Sequence, residues 1–367
     1  MALRRCETRL RAWRAALLGL CVVTAARAGA QTGGPARDTG LTHALEPYGG
    51  LSSHDAAALA RGGVVVRVLP TNEKDEVALV GVVRADVPRA FFRRNALDTR
   101  SALAGHAPGA AGIFHAPATA ADMPGPPLEA KDARALRTCR PLHCGIKLPG
   151  AAMSSLRDAA NVSASSGNAA MREWIVQLVN AYRERGDEAL PVYDDTRAGE
   201  SAARGFAELL AQEVHARETP SLARALTGAP GERVPDVTTT IFWTVERWPG
   251  LPAILSVVQR FAYAPSSRPH DAIVAEKLLY ADHYLDAMLD VASVVDEAES
   301  GTGIAILHVR RMKFDNLPGP GILSPRGRIV RRLHDTFAQS LAAERDALEV
   351  AFRTGEVGPA PGGSAVR

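Results

Sequence analysis

Residues 271–296 read DAIVAEKLLYADHYLDAMLDVASVVD, and their assignment decides the fold. Val274, Leu278, Ala281, Leu285, Leu289 and Ala292 recur at spacings of three and four, the apolar stripe of a helix. Residues 273–280 alone also satisfy a buried strand, because an apolar run that short carries either structure. Periodicity by itself favours the helix. If extended, the segment would place Tyr280, Asp282, Tyr284 and Asp286 on one face and Lys277, His283 and Leu285 on the other.

Strands are predicted on both sides of this stretch, at 237–248, 253–264 and 304–314. Beyond the turn-rich Pro318-Gly319-Pro320-Gly321, a long helix over 326–352 buries Val330, Leu333, Phe337, Leu341 and Leu348 on one stripe. Near the other end, Val64–Leu69 and Glu76–Ala85 read as neighbouring antiparallel strands joined through Pro70-Thr71-Asn72. A helix capped by Ser53 runs to Ala60 ahead of them. Asp86-Val87-Pro88 opens another helix, which carries Phe91 and Phe92.

Between the strand pair and the later strands lies a helical insertion, about 105–235. Residues 104–127 are rich in Ala, Gly and Pro and read as a long loop. A short helix follows over 130–137. The clearest helix covers 168–185, with Met171, Trp174, Ile175, Leu178, Val179 and Tyr182 on one stripe and Gly186 as its stop. Another is expected over 200–215, and Pro220 opens a third.

The first fourteen residues carry Arg4, Arg5, Arg9, Arg11 and Arg14, followed by an apolar run, residues 15–26, and by Ala28-Gly29-Ala30. That order predicts a secretory signal over 1–30, cleaved after Ala28 or, preferably, Ala30, to leave a chain beginning at or near Gln31. The run is shorter than the roughly 20 apolar residues that span a bilayer, so no transmembrane segment is expected. Cys21 does not form a lipoprotein box, because Leu20 is too large for the position before it. Periplasmic or secreted location follows, with a flexible N-terminus over 31–50, a single domain over 51–354 and a disordered tail over 355–367.

Net charge is +3, with 43 basic and 40 acidic residues nearly in balance, so the chain lacks the electrostatic footprint of a nucleic-acid binder. Aromatic residues are only 5%, and the core must be built from smaller side chains. Cys139 and Cys144 are the cysteines left after cleavage, and in an oxidising compartment they predict a disulfide. A metal site with His143 as third ligand is the alternative, and it lacks a second ligand cluster. Dinucleotide, phosphate-loop, nucleophile-elbow and HExxH motifs are absent, so no cofactor is predicted and enzymatic activity stays undecided.

Two polar clusters remain. Lys277, Tyr280, Asp282, His283, Tyr284 and Asp286 could line a cavity, with His283 beside carboxylates as a general base. Arg310, Arg311 and Lys313 with Arg326, Arg328, Arg331 and Arg332 could clamp a carboxylate or phosphate.

The segment Cys139 to Pro149, with Cys144-Gly145-Ile146-Lys147-Leu148-Pro149 at its end, resembles the cysteine-then-Lys-Leu segment of a group of uncharacterised secreted bacterial proteins. Lys277-Leu278-Leu279-Tyr280-Ala281-Asp282-His283-Tyr284 is similar to the Lys-x-x-Tyr-Ala-Ser-His-Tyr signature of the same group, with Asp282 in place of the serine and Leu285 in place of a phenylalanine. The likeness covers roughly 51–349 and implies export and one continuous domain. More remotely, the element order resembles the START-like helix-grip fold, in which an antiparallel sheet wraps a long C-terminal helix around an apolar cavity. That resemblance implies an α+β protein with strands, not a helix, over 273–296.

The function expected from this reading is binding of an apolar or amphipathic, lipid-like small molecule in an internal cavity. Tyr280, His283, Tyr284, Arg310, Phe337 and Leu341 are its candidate ligand-binding residues. The alternatives are a hydrolase or cyclase-like enzyme using His283 and a scaffold for an envelope protein partner.

Overall fold

Residues 271–296 form a β-hairpin, so the helical period within them is coincidental. A spacing of four keeps a residue on the same strand face just as it does on a helix. The spacing of three between Leu278 and Ala281 arises from a β-bulge, because Val257 pairs with Tyr280 while its neighbour Val258 pairs with Leu278. Leu279 is the extra residue.

The structure, a computed structural model, describes residues 39–103, 109–228, 232–247, 252–268, 271–296, 303–319 and 324–355. The expected signal over 1–30 and the tail beyond 355 lie outside the described residues. In chain order the elements are α1 (Thr39–Leu45), α2 (Ser53–Ala60), β1 (Val64–Leu69), β2 (Glu76–Ala85), α3 (Arg89–Leu97) and β3 (Ala111–Ile113). Then come α4 (Ala130–Ala135), α5 (Gly150–Val162), α6 (Ala164–Arg185), the short ribbon β4 (Val192–Tyr193) and β5 (Glu200–Ser201), α7 (Ala202–Gln212), α8 (Val214–Glu218) and α9 (Pro220–Thr227). The chain closes with β6 (Val237–Glu246), β7 (Ile254–Tyr263), β8 (Ile273–Ala281), β9 (Leu285–Asp296), β10 (Ile304–Phe314) and α10 (Arg326–Thr354).

Eight of the strands make one antiparallel sheet in the order β1-β2-β10-β9-β8-β7-β6-β3. The fold is therefore α+β, with a large antiparallel sheet, a long C-terminal helix and helices inserted between β2 and β6. The insertion also returns one strand, β3, to the sheet edge beside β6, inside the stretch expected to be a loop. Gly112 permits this pairing, since a Cβ there would lie 2.6 Å from Trp243 Nε1. Order begins earlier than the sequence implies. The expected flexible N-terminus contains α1, whose Leu41 and Leu45 are fully buried. The cap of α2 is Ser52, whose hydroxyl accepts from the Asp55 amide, one residue before the expected Ser53.

Both faces of the sheet are covered. On one face α10 and α3 pack on β2, β10 and the central strands through Phe91, Phe92, Leu333, Phe337, Leu341 and Leu348. On the other, α1 and α2 cover β1, β2 and β10, while α7 and α9 cover β8 and β9. Helices α4 to α6 cover the remaining part, around Ile241, Trp243, Leu255, Leu279 and Tyr280. These are called below the α10 face and the insertion face.

Three buried cations, Arg311, Lys277 and Lys147, make the ion pairs of the insertion face. Arg311 of β10 donates to Glu76 and to Glu213, which also accepts from the Tyr48 hydroxyl at 2.6 Å. Lys277 of β8 reaches Asp187 at 2.5 Å and the Leu226 carbonyl. Lys147, in the loop before α5, reaches Asp286 of β9 at 2.5 Å.

The seat of α10 depends on Gly81 of β2. A Cβ at that position would stand 2.3 Å from Leu341 Cδ1 and 3.0 Å from Phe337 Cε1. Both side chains are almost fully buried. Gly81→Ala should therefore lower unfolding free energy by about 1–3 kcal/mol in urea titration, as overpacked cores do. Combining it with Leu341→Ala should cost less than the sum of the two, because the truncation makes room for the methyl group.

Candidate functional site

The α10 face carries a row of polar residues, one from each of five neighbouring strands. Strand register sets Thr240 opposite Arg260, Arg260 opposite Glu276, Glu276 opposite Asp290 and Asp290 opposite Arg310. Cross-strand neighbours sit about 5 Å apart, which brings alternate charges together. Arg260 donates to Glu276 at 3.0 Å, and Arg310 donates through two nitrogens to one oxygen of Asp290. Two residues along β10, His308 faces Gly81 across the ladder and lies between Asp290 at 3.7 Å and Glu344 of α10 at 3.1 Å. The Arg310 guanidinium lies over the Phe337 ring, 4.9 Å from its centre.

Burial alone would raise the Asp290 carboxyl and lower the His308 imidazole. Arg310 and His308 outweigh burial at Asp290 and hold it down to about 2. Glu344 and Asp290 do the same at His308 and lift it to about 10, so the ring is an imidazolium at neutral pH, an ion-pair partner and not a base. The row is paired yet not sealed. Glu276, Arg310 and Glu344 keep 24%, 29% and 43% of their side-chain surface accessible. Phe242, Val258, Leu278, Tyr284 and Met288 supply apolar surface on the same face.

A second polar cluster stands at the β8–β9 turn, on the insertion face. The two segments that carried the resemblance meet there. Lys147 donates its backbone amide to the Asp282 carbonyl at 2.9 Å, and the Tyr280 hydroxyl donates to the Lys147 carbonyl at 3.0 Å. Asp286 is the extra residue of a β-bulge, between Leu285 and Ala287, which pair with Phe314 and Lys313. The bulge aims its carboxylate at Lys147, whose ammonium also lies 4.1 Å from the centre of the Tyr193 ring and 3.7 Å from Asp315. Cys139 and Cys144 are joined as a disulfide and hold the start of this loop, while the Cys144 amide donates to the Asp195 carbonyl. His283 Nε2 is 3.4 Å from Asp132 of α4. Burial pushes the Asp282 carboxyl up to about 7, against the opposing effects of His283 and of the Leu255 amide. Tyr284 occupies the left-handed region at φ 63°, a strained place for an aromatic residue.

The six candidate residues therefore divide between two faces. Arg310, Phe337, Leu341 and the ring of Tyr284 belong to the α10 face. Tyr280 and His283 belong to the turn cluster. Lys277, expected opposite Tyr280, shares its face because of the bulge at Leu279. The basic cluster disperses: Arg311 and Lys313 turn to the insertion face, and Arg326 ties to the carbonyls of Lys74 and Glu76. The residues missed were Arg260, Glu276, Asp290, His308 and Glu344. Each stood in an expected strand or helix, and only cross-strand register unites them. A cleft of about 840 Å³ lies elsewhere, lined by Arg183, Arg224, Phe114 and Phe261.

No protein-family model, curated protein or solved structure matches the chain.

The raised Asp282 pKa has a stability consequence. The folded state holds this proton up to about 7, whereas an unfolded carboxyl releases it near 3.8, so the stabilisation is present below 3.8 and is lost as pH rises to 7. Asp282→Asn keeps the acceptor for the Leu255 amide, which lies 2.9 Å from Oδ1. It should raise stability at pH 8 by on the order of 2 kcal/mol, with little gain at pH 4, as read by urea unfolding at the two pH values.

Proposed function

We propose that this protein is exported and binds an amphipathic small molecule on the α10 face, with the polar end of the ligand on the charged row and its apolar part against the neighbouring core. The carrying observation is the row itself. Side chains of opposite charge on the α10 face, from Arg260 to Arg310, and Glu344 of α10 keep accessible surface. Folding gains little from partly buried ions that an apolar layer could replace, so a role in recognition accounts for their presence. Paired cations and carboxylates suit a head group that is zwitterionic or rich in hydroxyls, since each charge can donate or accept without an excess of either sign. Phe337 and Leu341 anchor the helix beside this surface, and Tyr284 with Met288 supplies apolar wall. The START-like resemblance and the signal expected from the N-terminal sequence support the same reading.

A second reading has one specific observation behind it. His283 faces Asp132 beside a strained turn and a carboxyl with pKa about 7, an arrangement able to move protons in a hydrolase or cyclase-like enzyme. It is the weaker reading, because His283 is paired with a carboxylate where a nucleophile–base pair requires a hydroxyl or thiol.

The test is native mass spectrometry of protein recovered from the periplasm, for the wild type and for Asp290→Asn with Arg310→Met, which removes both charges of the pair together. The wild type should carry an amphipathic adduct that solvent extraction releases. The double variant should stay folded and retain at least tenfold less, the equivalent of about 1.4 kcal/mol. A wild type free of any adduct, or equal retention by the folded variant, would overturn the proposal.

A further inference from the structure

From residue 131 to residue 143 every third position is basic: Lys131, Arg134, Arg137, Arg140 and His143. Helix α4 and the 3₁₀ turn Leu136–Thr138 carry the first three, and residues three apart share a face in both kinds of helix. The last two flank the turn Arg140-Pro141-Leu142-His143, closed by the His143 amide donating to the Arg140 carbonyl at 2.9 Å. All five are exposed. Asp132 is the sole acid between residues 130 and 145, and it is turned inward to His283. Glu129 and Asp158 border the ridge, each beside an arginine, Arg247 and Arg157.

Leu142 stands at the tip of this ridge with 51% of its surface exposed and φ at 64°. A turn with proline second and positive φ third calls for glycine at the third place. Leucine is held there by the disulfide around the turn and by its own amide, which donates to the Asp194 carbonyl at 2.7 Å. An aliphatic side chain held half exposed in a conformation it resists is a feature of the surface and not of the core. Val162, 80% exposed at the end of α5, adds a second apolar point on the helix that packs against this segment.

We propose that this disulfide-pinned knob docks on an anionic phospholipid surface, with Leu142 entering the interface and the basic ridge facing the lipid phosphates. Charge complementarity selects a negative partner, and the projecting aliphatic tip selects a soft interface over an acidic protein, which would need a groove to receive it. The assignment is independent of what the α10 face binds.

The experiment is cosedimentation of the purified, disulfide-bonded protein with vesicles of phosphatidylcholine alone or mixed with phosphatidylglycerol. Binding should require the anionic lipid and weaken as salt brings the Debye length below about 10 Å. Arg134→Gln with Arg140→Gln should weaken it about 25-fold, roughly fivefold per charge. Leu142→Gly relaxes the turn, so it should fold at least as well as the wild type and yet bind at least fivefold more weakly. Equal binding to neutral vesicles, no binding to anionic ones, or unchanged binding by both variants would overturn the proposal, as would capture of an acidic protein without any affinity for the vesicles.

Discussion

The buried pair of Lys147 and Asp286 joins the two halves of this molecule. Lys147 belongs to a loop that starts at the disulfide and leads into the helices of the insertion. Asp286 belongs to the central sheet. Their 2.5 Å contact lies where water does not reach, so removing one partner would leave the other charge buried with only a longer contact, Asp315 at 3.7 Å from Lys147 or Arg197 at 3.5 Å from Asp286, at a cost of up to about 3–5 kcal/mol. The chain spends several local irregularities on this contact. A β-bulge frees Asp286 from the pleat, Tyr284 accepts positive φ to make the turn before it, and the disulfide fixes the loop that delivers the ammonium.

With the insertion fixed on one face, the other face is left to α10, where two demands compete. Close packing is met at Gly81, where the missing side chain lets Phe337 and Leu341 press onto β2. Along β7 to β10 the same face gives up apolar contact for a line of ions. Neighbouring residues show the change directly: Phe337 packs its edge near Gly81 and offers its ring to Arg310. A sheet that packed only for stability would carry aliphatic side chains at Glu276, Asp290 and Arg310, as it does on the opposite face at Ala275, Leu289 and Val291.

Much of the fold could be read from the chain. The strand pair Val64–Leu69 and Glu76–Ala85 and the last helix were plain because β-branched runs and a long apolar stripe are local signals. Residues 271–296 misled by period because two bulges and a turn shift the alternation. Helix α5 escaped notice because its buried residues, Ala152, Met153, Leu156 and Ala160, contrast weakly with the alanines around them. The Cys139–Cys144 bond followed from composition. The charged row was illegible for a different reason: Arg260, Glu276, Asp290 and Arg310 lie far apart in sequence, and no property of any one of them signals the others until register is known.

Whether the row is a binding surface or a sealed core layer is open to direct measurement through its accessibility. Glu276→Cys and Phe337→Cys place a thiol in the row and in the packed seat of α10. Each is treated in the native state with a small charged thiol reagent, and labelling at that position is read by peptide mass spectrometry. The account predicts that position 276 labels rapidly without unfolding, while position 337 labels only as fast as the protein opens. Equal, unfolding-limited labelling at both positions would contradict it.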